Sequence, residues 1–182
     1  MERGAEVLFE ELSIPGVFAV LMEPVSDQRG FFARSWAADE FQEHGLNPDL
    51  VESSISFNDV AGTLRGLHYQ APPHEEAKLV RCTKGSIFDV VVDLRRSSPA
   101  FRQFAGIELT DANHKALYVP EGCAHGFMTL AVGTEVLYLI STRYVPVSAR
   151  GVRWNDPAFA IRWPGASSQM SSRSQEFPSF QE

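Results

Sequence analysis

Cysteine is scarce in this chain: only Cys82 and Cys123 occur among 182 residues. Two thiols so far apart give neither a disulfide framework nor a cysteine zinc site, and a reducing compartment suits them. Positive charge is also short, with 16 Lys and Arg against 23 Asp and Glu and a formal net charge of −7. That balance argues against a nucleic-acid surface, yet leaves room for a local cationic pocket that holds a small anion. No apolar run is long enough to span a bilayer, and the opening "MERGAEVLFEEL" lacks the basic-then-apolar order of a signal peptide. The sequence therefore reads as a soluble cytoplasmic protein that contacts no membrane. Methionine is sparse at four residues against thirteen phenylalanines, which suggests a rigid, aromatic-rich interior. Glycine-rich phosphate loops, a G-x-S-x-G elbow and an H-E-x-x-H motif are all missing.

What is present is β-like. Hydrophobic content of 44% with 21% charged residues is ordinary for a globular protein, and the length suits one domain over 1–182. "GVFAVLMEP", "GFFARSWAA", "FAGIELT", "HKALYVPEG", "AHGFMTLAV" and "TEVLYLISTRYVP" are short runs separated by turn residues such as "VSDQRG", "DANH" and "VGT". "SIFDVVVDLR" is apolar on both faces, as expected of a strand buried between two layers. One helix is expected in "ADEFQEHGLN", with Asp39 and Glu40 in its first turn and Gly45 closing it. Many strands and regular turns indicate a β-sandwich or barrel, with the jelly roll a natural member. The core is expected over about 12–164, and the Ser-rich segment 165–182 reads as irregular.

The cations gather in "GTLRGLHYQAPPHEEAKLVR", residues 62–81, where prolines and glycines are expected to break any regular element. Arg65 lies three residues before His68, roughly 10 Å away and on the opposite face of an extended chain. A turn at Gly66 would be needed to bring the two together. Lys78 and Arg81 alternate faces in the same way, so at most one of them can join His68. Asp89 and Asp93 share a face of "IFDVVVDLR", and a carboxylate in such a strand must be paired, so one of them should partner a cation or an imidazole. Tyr138, in mid-strand, offers a phenol suited to donating a proton. The P-x-G-x-x-H spacing of Pro120, Gly122 and His125 is one that, in cupins, ends in a metal-ligating histidine. A metal reading weakens because His68 is followed by Tyr69 and Gln70 rather than by a second histidine, and His74 lies in a proline loop. From the residues alone, the chain binds an anionic small molecule and carries a candidate base and acid. Non-catalytic binding of such a molecule and metal-dependent cupin chemistry remain as alternatives.

Seven blocks taken in order, "DQRGFF", "GTLRGLHYQAPP", "KLVRC", "FDVVVDLR..SP", "YVPEGCAHGF", "TEVLYL...RY.P" and "RGVRWNDPA", resemble the dTDP-4-dehydrorhamnose 3,5-epimerase family. The resemblance implies an all-β, cupin-like jelly roll with one or two short helices and no metal or other cofactor. It also implies a nucleotide-sugar substrate and a homodimer in which one protomer's N-terminal segment helps to build its partner's site. His68 matches the base that removes the proton α to the C4 ketone of a 4-keto-6-deoxyhexose, and Tyr138 the acid that returns one to the opposite face. Lys78 matches the cation beside the C4 oxygen, where an enolate develops charge. Arg29, Arg65 and His125 match positions that hold the diphosphate and nucleotide, Tyr144 an aromatic on the nucleobase, and Asp89 an acid lining the sugar pocket. Gln70 is likewise a substrate-binding candidate. On this view Arg65, His68 and Lys78 reach one pocket from two neighbouring strands, and Arg81 is a bystander.

The sequence departs from the pattern at four places. Arg34 stands where the family has Glu, Glu52-Ser53-Ser54 where it has Q-x-N, and Ala149 where it has Glu. Arg34, Glu52 and Ser54 remain substrate-binding candidates by position. In "SSRS", Ser174 falls where the resemblance expects the aspartate that pairs with the base, and Asp89 is the carboxylate that could partly substitute.

Overall fold

A computed structural model describes residues 6–181 of the chain. Its elements run β1 (Val7–Glu11), β2 (Phe18–Met22), β3 (Val25–Asp27), β4 (Gly30–Phe32), α1 (Ala38–Glu43), β5 (Glu52–Asn58), β6 (Thr63–Gln70) and β7 (Lys78–Lys84). They continue β8 (Ser86–Asp93), β9 (Phe104–Thr110), β10 (Ala116–Val119), β11 (Cys123–Thr129), β12 (Thr134–Ile140), β13 (Ala149–Gly151), β14 (Gln169–Met170) and α2 (Ser172–Gln175). One sheet has the order β1-β2-β10-β7-β12-β5 and faces a second of order β13-β6-β11-β8-β9, to which β14 adds beside β6. This is the expected all-β jelly roll, with two short helices.

The core sits between the sheets and follows the period of two. Val80, Cys82, Leu117 and Val136 from the first sheet meet Ile87, Val91, Leu109 and Phe127 from the second. The other face of β8, Val90 and Val92, is covered by Phe159, Trp163 and Phe180, so the strand is indeed buried on both sides. Helix α1 presses the fully buried Phe41 onto Val20, Leu79, Ala116 and Tyr118 on the outside of the first sheet. Burying that ring is worth about 2–3 kcal/mol. Asp39 and Glu40 lie in its first turn, and Gly45 ends it at φ +71°, its N–H reaching the Gln42 carbonyl at 3.0 Å.

Four expectations are corrected. Residues 62–81 do not lack regular structure: β6 and the start of β7 flank the proline loop, because the prolines are confined to the connection and the one glycine of β6, Gly66, sits at an irregularity in its pairing. β6 and β7 are not neighbours but belong to opposite sheets. The segment after residue 164 is not irregular throughout, since β14 pairs in parallel with β6 and α2 follows it. Ordered structure also begins before residue 12, because the Ser13–Gly16 turn returns β1 antiparallel onto β2.

Candidate active site

The second sheet contributes His68 through a defect in its pairing. Strand β11 pairs His125 with His68 and then Phe127 with Arg65, so Gly66 and Leu67 together oppose the single residue Gly126. That extra residue shifts the alternation and brings Arg65 and His68 to one side, the convergence that Gly66 was expected to make. Gly66 has φ +135°, and a Cβ there would lie 2.6 Å from the Gly126 Cα, so glycine is required on both counts. Arg65 and His68 line one cavity of about 270 Å³ together with Asn58, Met170, Ser171 and Ser174. Arg65 donates from Nε to Asn58 Oδ1 at 2.7 Å and from Nη2 to the Phe57 carbonyl at 3.3 Å.

His68 titrates at about 4, below its ordinary 6.5, first because burial disfavours its charged form and then because Lys78, His125, Arg173 and Arg65 repel it. At neutral pH it is therefore an uncharged imidazole, able to accept a proton. The rings of His44, His74 and His125 each make a hydrogen bond. Among the described residues neither ring nitrogen of His68 has such a partner.

The two strand carboxylates divide as the sequence required. Asp89, fully buried, meets His125 Nε2 at 2.6 Å through Oδ1, while its Oδ2 has no partner among the described residues. Asp93 takes Arg95 in a two-pronged pair at 2.9 and 2.8 Å and accepts from Ser98 Oγ at 2.6 Å. Burial pushes the Asp93 carboxyl up, but these donors outweigh it and the net direction is down. Asp89 is thus the partner of His125 and not of His68, and Asp93 is structural.

The first sheet supplies Tyr138 and a buried cation. Tyr138 packs on the inter-sheet core with its ring 6.1 Å from that of His125, edge to face. Burial, reinforced by the Asp89 charge, raises its phenol above the ordinary 10, so it stays a proton donor across the physiological range. Lys78 is 8% exposed and bonds Glu76 Oε1 at 2.8 Å. Alternation from Val80 and Cys82 turns it inward, whereas Arg81 points out to the His114 carbonyl and Met22. Ser54 stands opposite Tyr138 on β5, and Glu52 Oε1 accepts from the backbone N–H of the half-exposed Tyr144.

Other candidates lie elsewhere. The Gln70 side chain is consumed by backbone: Nε2 donates to the His74 and Arg143 carbonyls and Oε1 accepts from Val145 N–H at 2.6 Å. Arg29 stands exposed on the β3–β4 hairpin beside Asp27, and Arg34 pairs with Glu40 at 2.5 Å. Neither lines the His68 cavity. Sequence reasoning missed Asn58, although "SISFN" alternates into it, and Met170, Ser171 and Phe177 in the Ser-rich segment, where no periodicity marks them. Among the described residues no three His, Cys, Asp or Glu side chains group to hold a metal ion, and none of the helices is long and apolar enough to cross a membrane.

The jelly roll thus places an uncharged imidazole and a protonated phenol each beside His125, with cations nearby, an arrangement able to move protons. The family model for dTDP-4-dehydrorhamnose 3,5-epimerase matches residues 11–182. The chain is 40% identical over 159 residues to the dTDP-4-dehydrorhamnose 3,5-epimerase of Sinorhizobium fredii, covering 87% of this chain and 82% of the relative. The Bacillus anthracis dTDP-4-dehydrorhamnose 3,5-epimerase, solved with TDP and pyrophosphate bound, superposes with TM-score 0.92 at 36% identity, covering 96% of this chain and 100% of that one. NovW, a 4-keto-6-deoxy sugar epimerase from the novobiocin cluster of Streptomyces spheroides, superposes with TM-score 0.89 at 36% identity, covering 98% and 90%. The chain belongs to the dTDP-4-dehydrorhamnose 3,5-epimerase family and is an isomerase.

Proposed function

We propose that the protein epimerises C3, C5 or both of a dTDP-linked 4-keto-6-deoxyhexose in deoxysugar biosynthesis. The observation that carries the reading is that His68 and Tyr138 both neighbour His125, His68 as its cross-strand partner and Tyr138 with its ring 6.1 Å away, the imidazole uncharged and the phenol protonated. His68 takes the proton α to the ketone, the electron pair moves onto the C4 oxygen, and Lys78 stabilises the enolate there. Tyr138 then gives its proton to the opposite face of the carbon, and solvent restores both groups. Arg65, His125 and Tyr144 hold the diphosphate and nucleobase, with Ser54 and Glu52 as further substrate contacts.

Arg65 and His125, two of the groups that push the His68 pKa down, are those a diphosphate neutralises, so substrate binding raises the basicity of the imidazole. Arg29 and Arg34 serve a partner protomer, and the protein acts as a homodimer with shared sites. Support comes from apolar surface on and around the projecting hairpin and edge strand: Phe32 is 71% exposed, Ile55 65% and Phe57 50%. Two buried, unpaired cysteines suit a cytoplasmic setting.

The test is incubation with dTDP-4-keto-6-deoxyglucose in deuterium oxide, with exchange at C3 and C5 read by NMR. Deuterium at either carbon, lost in His68→Ala while nucleotide affinity persists, supports the proposal. No exchange at either carbon, for this and related 4-keto sugars, removes it.

A further inference from the structure

Once the hydrogen-bond partners of the histidines are counted, the base is left without an orienting group, yet a base must hold its ring plane to accept a proton along one direction. The structure offers one other contact on that ring. Phe177 meets His68 edge to face, with centroids 5.3 Å apart and planes at 81°. It reaches this place because its segment is pinned on both sides. Upstream, β14 pairs Gln169 with Thr63 and Met170 with Leu64, and Ser171 caps α2 by accepting from Ser174 N–H at 3.2 Å. Downstream, Phe180 N–H donates to Asp156 Oδ2 at 2.7 Å while its ring packs on Phe101 and Phe159.

The tip of the Phe177 ring also lies against Gly151, the residue that β13 pairs with His68. A Cβ at Gly151 would run into the Phe177 ring, and the backbone there is not in the left-handed region. The glycine thus makes room for the ring and has no conformational reason of its own.

We infer that Phe177 is a positioning residue for His68, its ring fixing the plane of the imidazole and sealing it from water in place of a hydrogen bond. The charged and titratable groups that face His68 are Arg65 on β6, Lys78 on β7 with its partner Glu76, His125 on β11 with its partner Asp89, and Arg173 on α2. None of them is altered by changing Phe177, so a shift in the base on that change reports the ring itself.

The inference rests on His68 being the base of the proposed reaction, and the experiment separates the two. Deuterium exchange by the wild-type protein reports the reaction; the NMR titration of His68, assigned by its loss in His68→Gln among five histidines, reports Phe177 whether or not a sugar turns over. Phe177→Ala is expected to admit water, moving the His68 midpoint up by more than one pH unit from about 4, and to lower kcat at least tenfold with KM changed less than threefold. Phe177→Leu keeps the site dry and holds the midpoint within half a unit. Gly151→Ala, which displaces the ring while leaving it in the chain, should reproduce the alanine phenotype. An unmoved midpoint in Phe177→Ala, or losses of kcat that follow the melting temperature equally in all three variants, would overturn the assignment.

Discussion

Ser174→Asp is the most informative single change. Ser174 is 2% exposed, lines the His68 cavity and sits in the first turn of α2, where its N–H already bonds Ser171 Oγ. An aspartate there keeps the helix cap and adds a charge beside an imidazole that now titrates at about 4. An opposite charge within about 4–6 Å raises such a group by about one to three pH units. In the transition state His68 becomes an imidazolium, and a hydrogen bond from it to a carboxylate is worth about 1.5–3 kcal/mol. That energy corresponds to a rise in kcat of about 10- to 150-fold, reduced by the cost of desolvating the new carboxylate. The assay pairs the NMR titration of His68 with the rate of deuterium entry at saturating substrate. Ser174→Asn, of equal size without charge, should leave the midpoint near 4. A folded Ser174→Asp protein whose His68 midpoint and kcat both match the parent would refute the placement of residue 174 beside the base.

Tyr138→Phe removes the proton donor while sparing the base, so kcat for epimer formation should fall by about 10²- to 10⁴-fold; loss of epimer product with retained solvent exchange on the substrate, read by NMR, checks it. Because substrate phosphates offset Arg65 and His125, two of the groups that lower His68, the acid limb of kcat/KM should lie near pH 4 and that of kcat higher; coincident limbs would contradict this. The folded His68 pKa lies below its unfolded value, so folding sheds protons: stability is unaffected above pH 6.5 and falls as pH drops from 6.5 to about 4, by about 3 kcal/mol in all. Arg95→Ala leaves Asp93 buried without its guanidinium, at a cost of about 3–5 kcal/mol; thermal melting should show the loss, with kcat/KM of the folded protein unchanged within about twofold.

The sheets and the site differ in how far the sequence reveals them. Strand β8 announces itself because Val90, Val91 and Val92 bury both faces, and Asp89 and Asp93 on such a strand had to find partners, as they did in His125 and Arg95. The need to reconcile Arg65 with His68 pointed to Gly66, and the irregular pairing there supplies the answer. What stayed hidden depends on partners distant in the chain. Nothing within "APPHEEAKLVR" says that β6 and β7 lie in opposite sheets, since strand order is set by packing of whole sheets. Gln70 looked free to bind substrate because the three backbone groups that occupy it come from residues 74, 143 and 145. Phe177 had no periodicity to mark it, because a single ring on a strap obeys no repeat.

The strap has a consequence for how the molecule comes into being. Ser168 Oγ bonds the Ala61 carbonyl across 107 residues, the longest loop among the side-chain bonds around the site. The β8–β9 hairpin and the pairing of β8 with β11 need far shorter loops, and closing a longer loop costs more chain entropy before any contact repays it. The sandwich can therefore reach a native-like core while His68 still lies open to solvent, and docking of residues 168–180 is then the step that encloses it. Pulsed hydrogen exchange during refolding should find the β8 and β9 amides protected before those at Gln169 and Met170.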